Sequence, residues 1–190
     1  MDIDIDVPTQ FDPVKIFKTK FVLASRVENE LLTKHNCGIY FQNMATDPMT
    51  GFAAIPYKEA EKLDYFKIDL ISNSTLSYFE SKQWMDEWVD KEPDWNLLLE
   101  RENVEKLFQL SKKFDFVYAV KPKSVKELAD VVALIRPDKQ QLLDKYLRNK
   151  KEMRKELYMH RSSKDMRKSH ATAYALLIVL QLHLIKMGKL

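Results

Sequence analysis

Acidic and aliphatic residues alternate at the start of the chain. In the segment DIDIDV, Asp2, Asp4 and Asp6 alternate with isoleucines. Side chains two positions apart on a strand point to the same face, so the pattern predicts a strand with carboxylates on one face and aliphatic side chains on the other. Neighbouring carboxylates repel one another. The pattern therefore fits a solvated edge strand, a divalent cation held between the carboxylates, or an acidic segment that is not ordered.

The spacing of apolar residues predicts the other elements of the first 80 residues. Apolar positions at mostly helical spacing predict a helix over residues 14–32. A short strand is predicted over 38–41, a short helix from residue 57, and a buried strand over 66–71. Asp69 is the charged residue in this last strand, and a buried carboxylate is costly unless it is paired, hydrogen-bonded or bound to a metal.

The rest of the chain has the periodicity of helices. Helical spacing predicts helices over residues 74–91, 124–137 and 139–158, and a last helix from near residue 169. Residues 97–110 are predicted to be a helix that runs into a short strand or turn. Ser124 and Glu127 have the spacing of a capping box, and Pro137 ends that helix. We therefore predict an α+β fold with two domains, a small α/β unit over residues 1–80 and a helical unit over 81–190.

Composition narrows the class of protein. Hydrophobic residues make up 45% of the 190 residues and charged residues 31%, which indicates a folded globular chain. The most apolar run, residues 171–185, contains Gln181 and His183 and is shorter than the roughly 20 residues that a bilayer requires, so we predict a buried helix and no membrane partner. The single cysteine, Cys37, excludes an internal disulfide. Together with the lack of a secretory leader pattern, it favours the cytoplasm.

Charge and glycine are unevenly distributed. The net charge is +3, but residues 148–168 contain nine Lys or Arg against three Asp or Glu. Such a basic block is typical of a solvated helix face, and it would also attract a phosphate backbone. The chain has three glycines, Gly38, Gly51 and Gly188, which excludes a glycine-rich phosphate-binding loop within it.

Six short segments, taken in order, resemble the palm and fingers of the bacterial replicative DNA polymerase III alpha subunit, the C family of DNA polymerases. They are DIDIDV (2–7), KHNCGI (34–39), KIDLISNSTL (67–76), LFQL (107–110), SVKELADVVALIRP (124–137) and KSHATAYALL (168–177). The last two are the most specific. The resemblance implies a strongly reduced or split form of this polymerase, such as a phage encodes, acting in the bacterial host cytoplasm. Residues 1–80 would be a reduced, nucleotidyltransferase-like palm and residues 81–190 a fingers-like unit.

The resemblance also implies which residues carry the chemistry. Asp4, Asp6 and Asp69 would be the catalytic carboxylates and would bind two Mg²⁺ ions for transfer of a nucleotide from a dNTP to a primer 3′-hydroxyl. Residues that would contact DNA or the nucleotide are Lys34, His35, Lys67, Arg136, Lys168, His170 and Tyr174. Their cationic and aromatic side chains suit phosphate binding and base stacking. The implied partners are a DNA primer-template and dNTP.

Each of these residues also has a purely structural interpretation. Asp69 would cap a loop, Arg136 would be a cation favoured at a helix C-terminus, and Tyr174 would belong to the core. Without the family resemblance, these structural interpretations are the preferred ones.

Three functions remain open at this stage. Family members carry a glycine- and serine-rich phosphate loop upstream of the acidic strand, so a polymerase of this composition would take the loop from a partner chain, another polymerase subunit. Alternatively, the chain is a catalytically inactive module that binds DNA or a replisome protein. A third hypothesis is a nucleotidyltransferase that acts on other acceptors, because paired acidic strands recur in such enzymes.

Overall fold

The computed structural model describes residues 2–159 and 166–190 and divides the chain into two compact units, Met1–Glu80 and Ser81–Leu190. The first unit contains a β-sheet and the second is helical. This arrangement confirms the α+β class predicted from the sequence. Across the described ranges, no helix combines the length and the apolar character needed to span a bilayer.

A four-stranded sheet organises the first unit. Its elements are β1 (Asp2–Pro8), α1 (Pro13–Ile16), β2 (Val22–Glu28), β3 (Leu31–Tyr40), α2 (Tyr57–Lys62), β4 (Lys67–Asn73) and a 3-10 helix (Ser74–Tyr78). The strand order is β1-β4-β3-β2, with β1 parallel to β4 and the other neighbouring pairs antiparallel. The predicted strands at the start of the chain, before residue 41 and around Asp69 are confirmed, and so is the helix from residue 57.

The helix predicted over residues 14–32 is wrong. Only α1 is helical there, and the rest forms β2 and the start of β3. The two strands are joined by Asn29 and Glu30, whose φ angles are 50° and 65°, as a two-residue hairpin turn with two left-handed positions requires. Phe17, one of the apolar residues counted toward the helix, instead packs edge to face on Phe41, with ring centroids 5.1 Å apart.

A large bulge interrupts β3 where it pairs with β2. Leu23 is the partner of Ile39 and Ser25 is the partner of Lys34, so residues 35–38 of β3 lie opposite the single residue Ala24. The extra residues leave the regular ladder at this point. The bulge therefore redirects the side chains of His35 and Cys37, as described below.

Helices form the second unit. They are α3 (Lys82–Val89), α4 (Arg101–Lys106), α5 (Phe114–Val120), α6 (Val125–Leu134), α7 (Leu143–Arg148), α8 (Lys150–Leu157) and α9 (Lys168–Lys186), with 3-10 helices at Trp95–Leu99 and Gln140–Leu142. The core centres on α6 and α9, where Leu128, Val132, Ile178 and Leu182 are fully buried. The apolar run over 171–185 is thus a buried helix, as predicted.

Capping residues set where these helices begin. The Ser124 hydroxyl accepts a hydrogen bond from the Glu127 amide at 3.2 Å, which confirms the predicted cap of α6. The single helix predicted over 139–158 is wrong, because the chain breaks at Asn149. The Asn149 side chain accepts from the Glu152 amide at 3.2 Å and begins α8. The predicted helix over 74–91 is likewise divided, since Ser81 caps a new helix, α3.

Candidate functional site

Two distant acidic segments meet side by side in the sheet. Because β1 runs parallel to β4 in register, Asp4 is the direct partner of Asp69, and Asp6 is the partner of Ile71. Partner residues in a parallel pair project to the same face, and so do residues two apart on one strand. Asp4, Asp6 and Asp69 therefore share one face of the sheet, which we call the acidic face.

Asp69 is the most enclosed member of the acidic face. Its side chain is 15% exposed and forms an ion pair through Oδ2 with the Nζ of Lys67, whose side chain is 4% exposed. The other oxygen, Oδ1, is buried and has no hydrogen-bond donor in the part of the chain that the structure describes. The Nδ1 of His35 lies 3.7 Å from this oxygen. Lys67 thus compensates the costly buried carboxylate through Oδ2, and the thiol of Cys37 is a further hydrogen-bond partner of the same carboxylate.

A glycine makes room for the Lys67 side chain. Gly38 is the partner of Asp69 on β3, and a Cβ at Gly38 would lie 2.8 Å from the Cδ of Lys67 and 2.9 Å from the Nδ1 of His35. Any larger residue would collide with both side chains. The ring of Tyr57 from α2 completes this packing, with its centroid 5.4 Å from the Nζ of Lys67 and 5.0 Å from the His35 ring.

The β3 bulge brings His35 and Cys37 next to Asp69. The backbone amides of Gly38 and Cys37 donate to the Nδ1 of His35 at 3.0 and 3.5 Å, which assigns the ring proton of the neutral imidazole to Nε2. Burial raises the pKa of the Cys37 thiol, and the negative charge of Asp69 raises it further. One donor atom each from His35, Cys37 and Asp69 lies within 4.8 Å of the other two.

The acidic face has the donor chemistry that magnesium prefers. Asp4 and Asp6 are exposed, and carboxylate oxygens with water are the usual Mg²⁺ ligands. Burial raises the pKa of Asp6 and the charge of Asp4 adds to this, whereas a hydrogen bond with Asn73 opposes it. A cation would relieve this repulsion. Across the described residues, however, the oxygens of Asp4, Asp6 and Asp69 do not all lie within the 4.8 Å that defines the His35, Cys37 and Asp69 group.

The predicted nucleotide-binding residues of the first unit differ in their environment. His35 and Lys67 lie beside Asp69, as described above. Lys34 is exposed and pairs with Ser25 of β2 in the backbone register. Cys37 and Tyr57, which complete the environment of Asp69, were not among the predicted site residues. The bulge that brings Cys37 there leaves no pattern in the sequence.

The predicted residues of the second unit lie at separate places on α6 and α9. Arg136 follows the end of α6, and its buried Nε has no hydrogen-bond acceptor in the described part of the chain. His170 is exposed in the first turn of α9. Tyr174 is partly buried against the core, and its ring centroid lies 5.5 Å from that of Phe108. This placement agrees with the interpretation of Tyr174 as a core residue.

Lys168 borders a cavity of about 650 Å³ in the second unit. Lys126, Arg154 and Lys155 also line it, and Val125, Ala129, Tyr158 and Thr172 supply apolar wall. We call this the basic cavity. Part of the basic block seen in the sequence thus lines a concave surface, while its residues 160–165 lie outside the described residues. Lys126, on α6, lies outside the basic block, and the sequence did not indicate that it lines this cavity.

A buried carboxylate forms the floor of the basic cavity. Asp130 is 1% exposed and accepts hydrogen bonds from the hydroxyl of Tyr146 and the Nε of Arg154, both at 2.6 Å, and from the hydroxyl of Tyr158 at 3.0 Å. Burial raises the pKa of both tyrosines, and the charge of Asp130 adds to this effect. The network joins α6 to α7, α8 and the residue after α8.

Comparison with known proteins identifies the family to which the chain is similar. The model of the bacterial DNA polymerase III alpha subunit finger domain matches residues 50–177, about two thirds of the chain. The match includes Asp69, Arg136 and Lys168, whereas Asp4 and Asp6 precede it. No curated protein matched the chain. The chain belongs to the family of the bacterial DNA polymerase III alpha subunit finger domain.

Proposed function

We propose that the chain is a DNA-directed DNA polymerase subunit that transfers nucleotides from dNTPs to a primer 3′-hydroxyl. Family membership supports a polymerase-related role in DNA replication. The observation that carries the catalytic part is the register of β1 on β4, which aligns Asp4 with Asp69 on one face. Two bound Mg²⁺ ions would activate the hydroxyl and stabilise the departing pyrophosphate.

In this proposal Asp4, Asp6 and Asp69 hold the metal ions, and Lys67 has a second task. Its ammonium group fixes one oxygen of Asp69 and leaves the other oxygen available. A buried lysine also places a positive charge at the edge of the acidic face, where a triphosphate would approach. In this proposal the remaining phosphate contacts come from a partner polymerase subunit.

Primer extension tests the catalytic proposal. The purified chain is incubated with a primer-template, dNTPs and Mg²⁺, and Asp69→Asn is compared with Glu59→Gln. Glu59 lies in the same unit, but it is exposed and forms a surface pair with Lys62, so its loss has little effect. We expect incorporation by wild type and Glu59→Gln and none by Asp69→Asn.

A metal-binding measurement tests the acidic face without requiring polymerase activity or a partner subunit. Mn²⁺ serves as a paramagnetic substitute for Mg²⁺, and free Mn²⁺ is counted by electron paramagnetic resonance. We expect Asp4→Asn, Asp6→Asn and Asp69→Asn each to bind less Mn²⁺ than wild type and Glu59→Gln. Equal Mn²⁺ binding by all five proteins would rule out the acidic face as the catalytic metal site.

The basic cavity favours a second candidate function, a non-catalytic module that binds DNA. Lys126, Lys155 and Lys168 line a concave surface in the second unit beside the ion pair of Arg154 and Asp130, and their charges suit a phosphate backbone. In this case DNA affinity falls steeply with salt, and Lys155→Ala or Lys168→Ala each lowers the slope of log K against log salt by about 1. The exposed Lys112 supplies a control, and the aspartate variants bind DNA like wild type. Salt-independent binding would exclude this function.

A further inference from the structure

We propose that His35, Cys37 and Asp69 form a binding site for a transition-metal cation of the zinc class, separate in chemistry from the carboxylate site for magnesium. The donor atoms of the three residues all lie within 4.8 Å of one another, although the residues come from two strands. Imidazole nitrogen, thiolate sulfur and a carboxylate oxygen are the donors that zinc and cobalt take in proteins. Magnesium takes oxygen donors and would not select the thiol.

Metal binding would change the state of two donors, because Cys37 would lose its thiol proton and the Nδ1 of His35 would exchange its amide hydrogen bonds for the metal. The Nδ1 of His35 carries the lone pair that a metal would take, and this lone pair now accepts hydrogen bonds from the amides of Gly38 and Cys37. Lys67 pairs with the Oδ2 of Asp69, so Oδ1 is the oxygen that remains. This Oδ1 is buried, accepts no hydrogen bond within the described chain and lies 3.7 Å from Nδ1. A cation bound by both atoms would replace the amide hydrogen bonds of Nδ1 and would supply the partner that Oδ1 lacks.

Metal binding requires the three donor atoms to move closer together. Zinc bonds of about 2.0–2.3 Å bring tetrahedral ligand atoms closer together than 4.8 Å, so the three side chains must move inward by side-chain rotation. Three protein ligands leave a fourth position for water, as in open zinc sites. The Tyr57 ring packs against the His35 ring and lies beside the site.

The two metal sites share Asp69, and this has a consequence for activity. A zinc-class cation on Oδ1 would withdraw the carboxylate that the proposed polymerase needs for magnesium. The inference itself does not depend on polymerase activity, because binding is measured without DNA or nucleotide.

Cobalt titration tests the site directly. Co²⁺ is added to the metal-free full chain and the thiolate-to-cobalt charge-transfer band is followed by absorbance. Cys37 is the single cysteine, so a band at one cobalt per chain assigns the thiolate to this site. We expect Cys37→Ser to lose the band and to weaken zinc binding by more than the roughly 10- to 100-fold that loss of an outer-shell partner costs.

Matched variants separate this site from the proposed magnesium site. Asp4→Asn keeps the cobalt band, because Asp4 is outside the group, but binds less Mn²⁺ than wild type. Asp69→Asn weakens both. Circular dichroism checks that each variant folds. The inference is overturned if wild type gives no band, if one cobalt is bound per two chains, or if zinc binding is the same in wild type and Cys37→Ser.

Discussion

The Asp130 network provides the sharpest test of how the second unit is held together. We consider Asp130→Ala, which removes the carboxylate that accepts hydrogen bonds from Tyr146, Arg154 and Tyr158. The substitution adds no bulk and leaves α6 with a good helix former. Its effect therefore comes from the partners that lose their acceptor.

The burial of the partners determines the magnitude. The Arg154 side chain is 22% exposed, so its charge is largely removed from water, and Tyr146 is fully buried. Removing one partner of a buried ion pair costs about 3–5 kcal/mol, and an unsatisfied buried hydroxyl costs about 1–3 kcal/mol. These terms overlap because Arg154 can turn toward solvent. We expect Asp130→Ala to lower the free energy of unfolding by about 3–5 kcal/mol, a large part of the 5–15 kcal/mol typical of a domain.

Tryptophan fluorescence during urea unfolding measures this loss. Trp84, Trp88 and Trp95 all lie in the second unit, so the signal reports on that unit alone. Asp138→Ala is the control, because Asp138 is exposed just after α6 and its loss should change stability by less than about 0.5 kcal/mol. A loss below about 1 kcal/mol for Asp130→Ala would refute the argument that this network joins α6 to α7 and α8.

Three further predictions concern other parts of the chain. Gly38→Ala places a methyl group 2.8 Å from the Cδ of Lys67, and we expect it to destabilise the chain by about 1–3 kcal/mol. Thermal unfolding followed by circular dichroism measures this loss, and Gly51→Asn, at an open position, is the control. Burial lowers the pKa of His183 below its ordinary 6.5, so below pH 6.5 the unfolded chain binds a proton more readily than the folded chain does. The free energy of unfolding of the second unit is therefore largest above pH 6.5 and falls as the pH drops below it. His183→Gln should flatten this pH dependence in urea titrations. Ser124→Ala removes the cap of α6 and should cost about 1 kcal/mol in the same titrations, and no change would mean that the cap is dispensable.

The sequence predicted the elements that have local signals. The helix α6 was predictable because a cap, an apolar stripe and Pro137 agree. The β2–β3 hairpin was missed because its turn uses Asn29 and Glu30, without the glycine that usually marks two left-handed positions. The break at Asn149 was missed because apolar spacing continues through it, and only the side-chain cap of α8 ends one helix and starts the next.

The acidic face also has local sequence signals, whereas the position of Cys37 and the basic cavity do not. The alternation in DIDIDV and the charged Asp69 within an apolar segment both predict strands. The structure pairs these two strands, which places Asp4 next to Asp69. The approach of Cys37 to Asp69 depends on a bulge, whose position follows from long-range pairing between β2 and β3. The basic cavity likewise depends on how α6, α8 and α9 pack, which no local pattern specifies.

The parallel register of β1 on β4 restricts how this protein can vary in length. Asp4 and Asp6 are separated by one residue, and a deletion of that residue would turn one carboxylate to the opposite side of the sheet. The same change at the exposed loop tip around Met49 leaves the register untouched. Natural variants of this chain should therefore differ in length at that tip and keep the spacing of β1 constant.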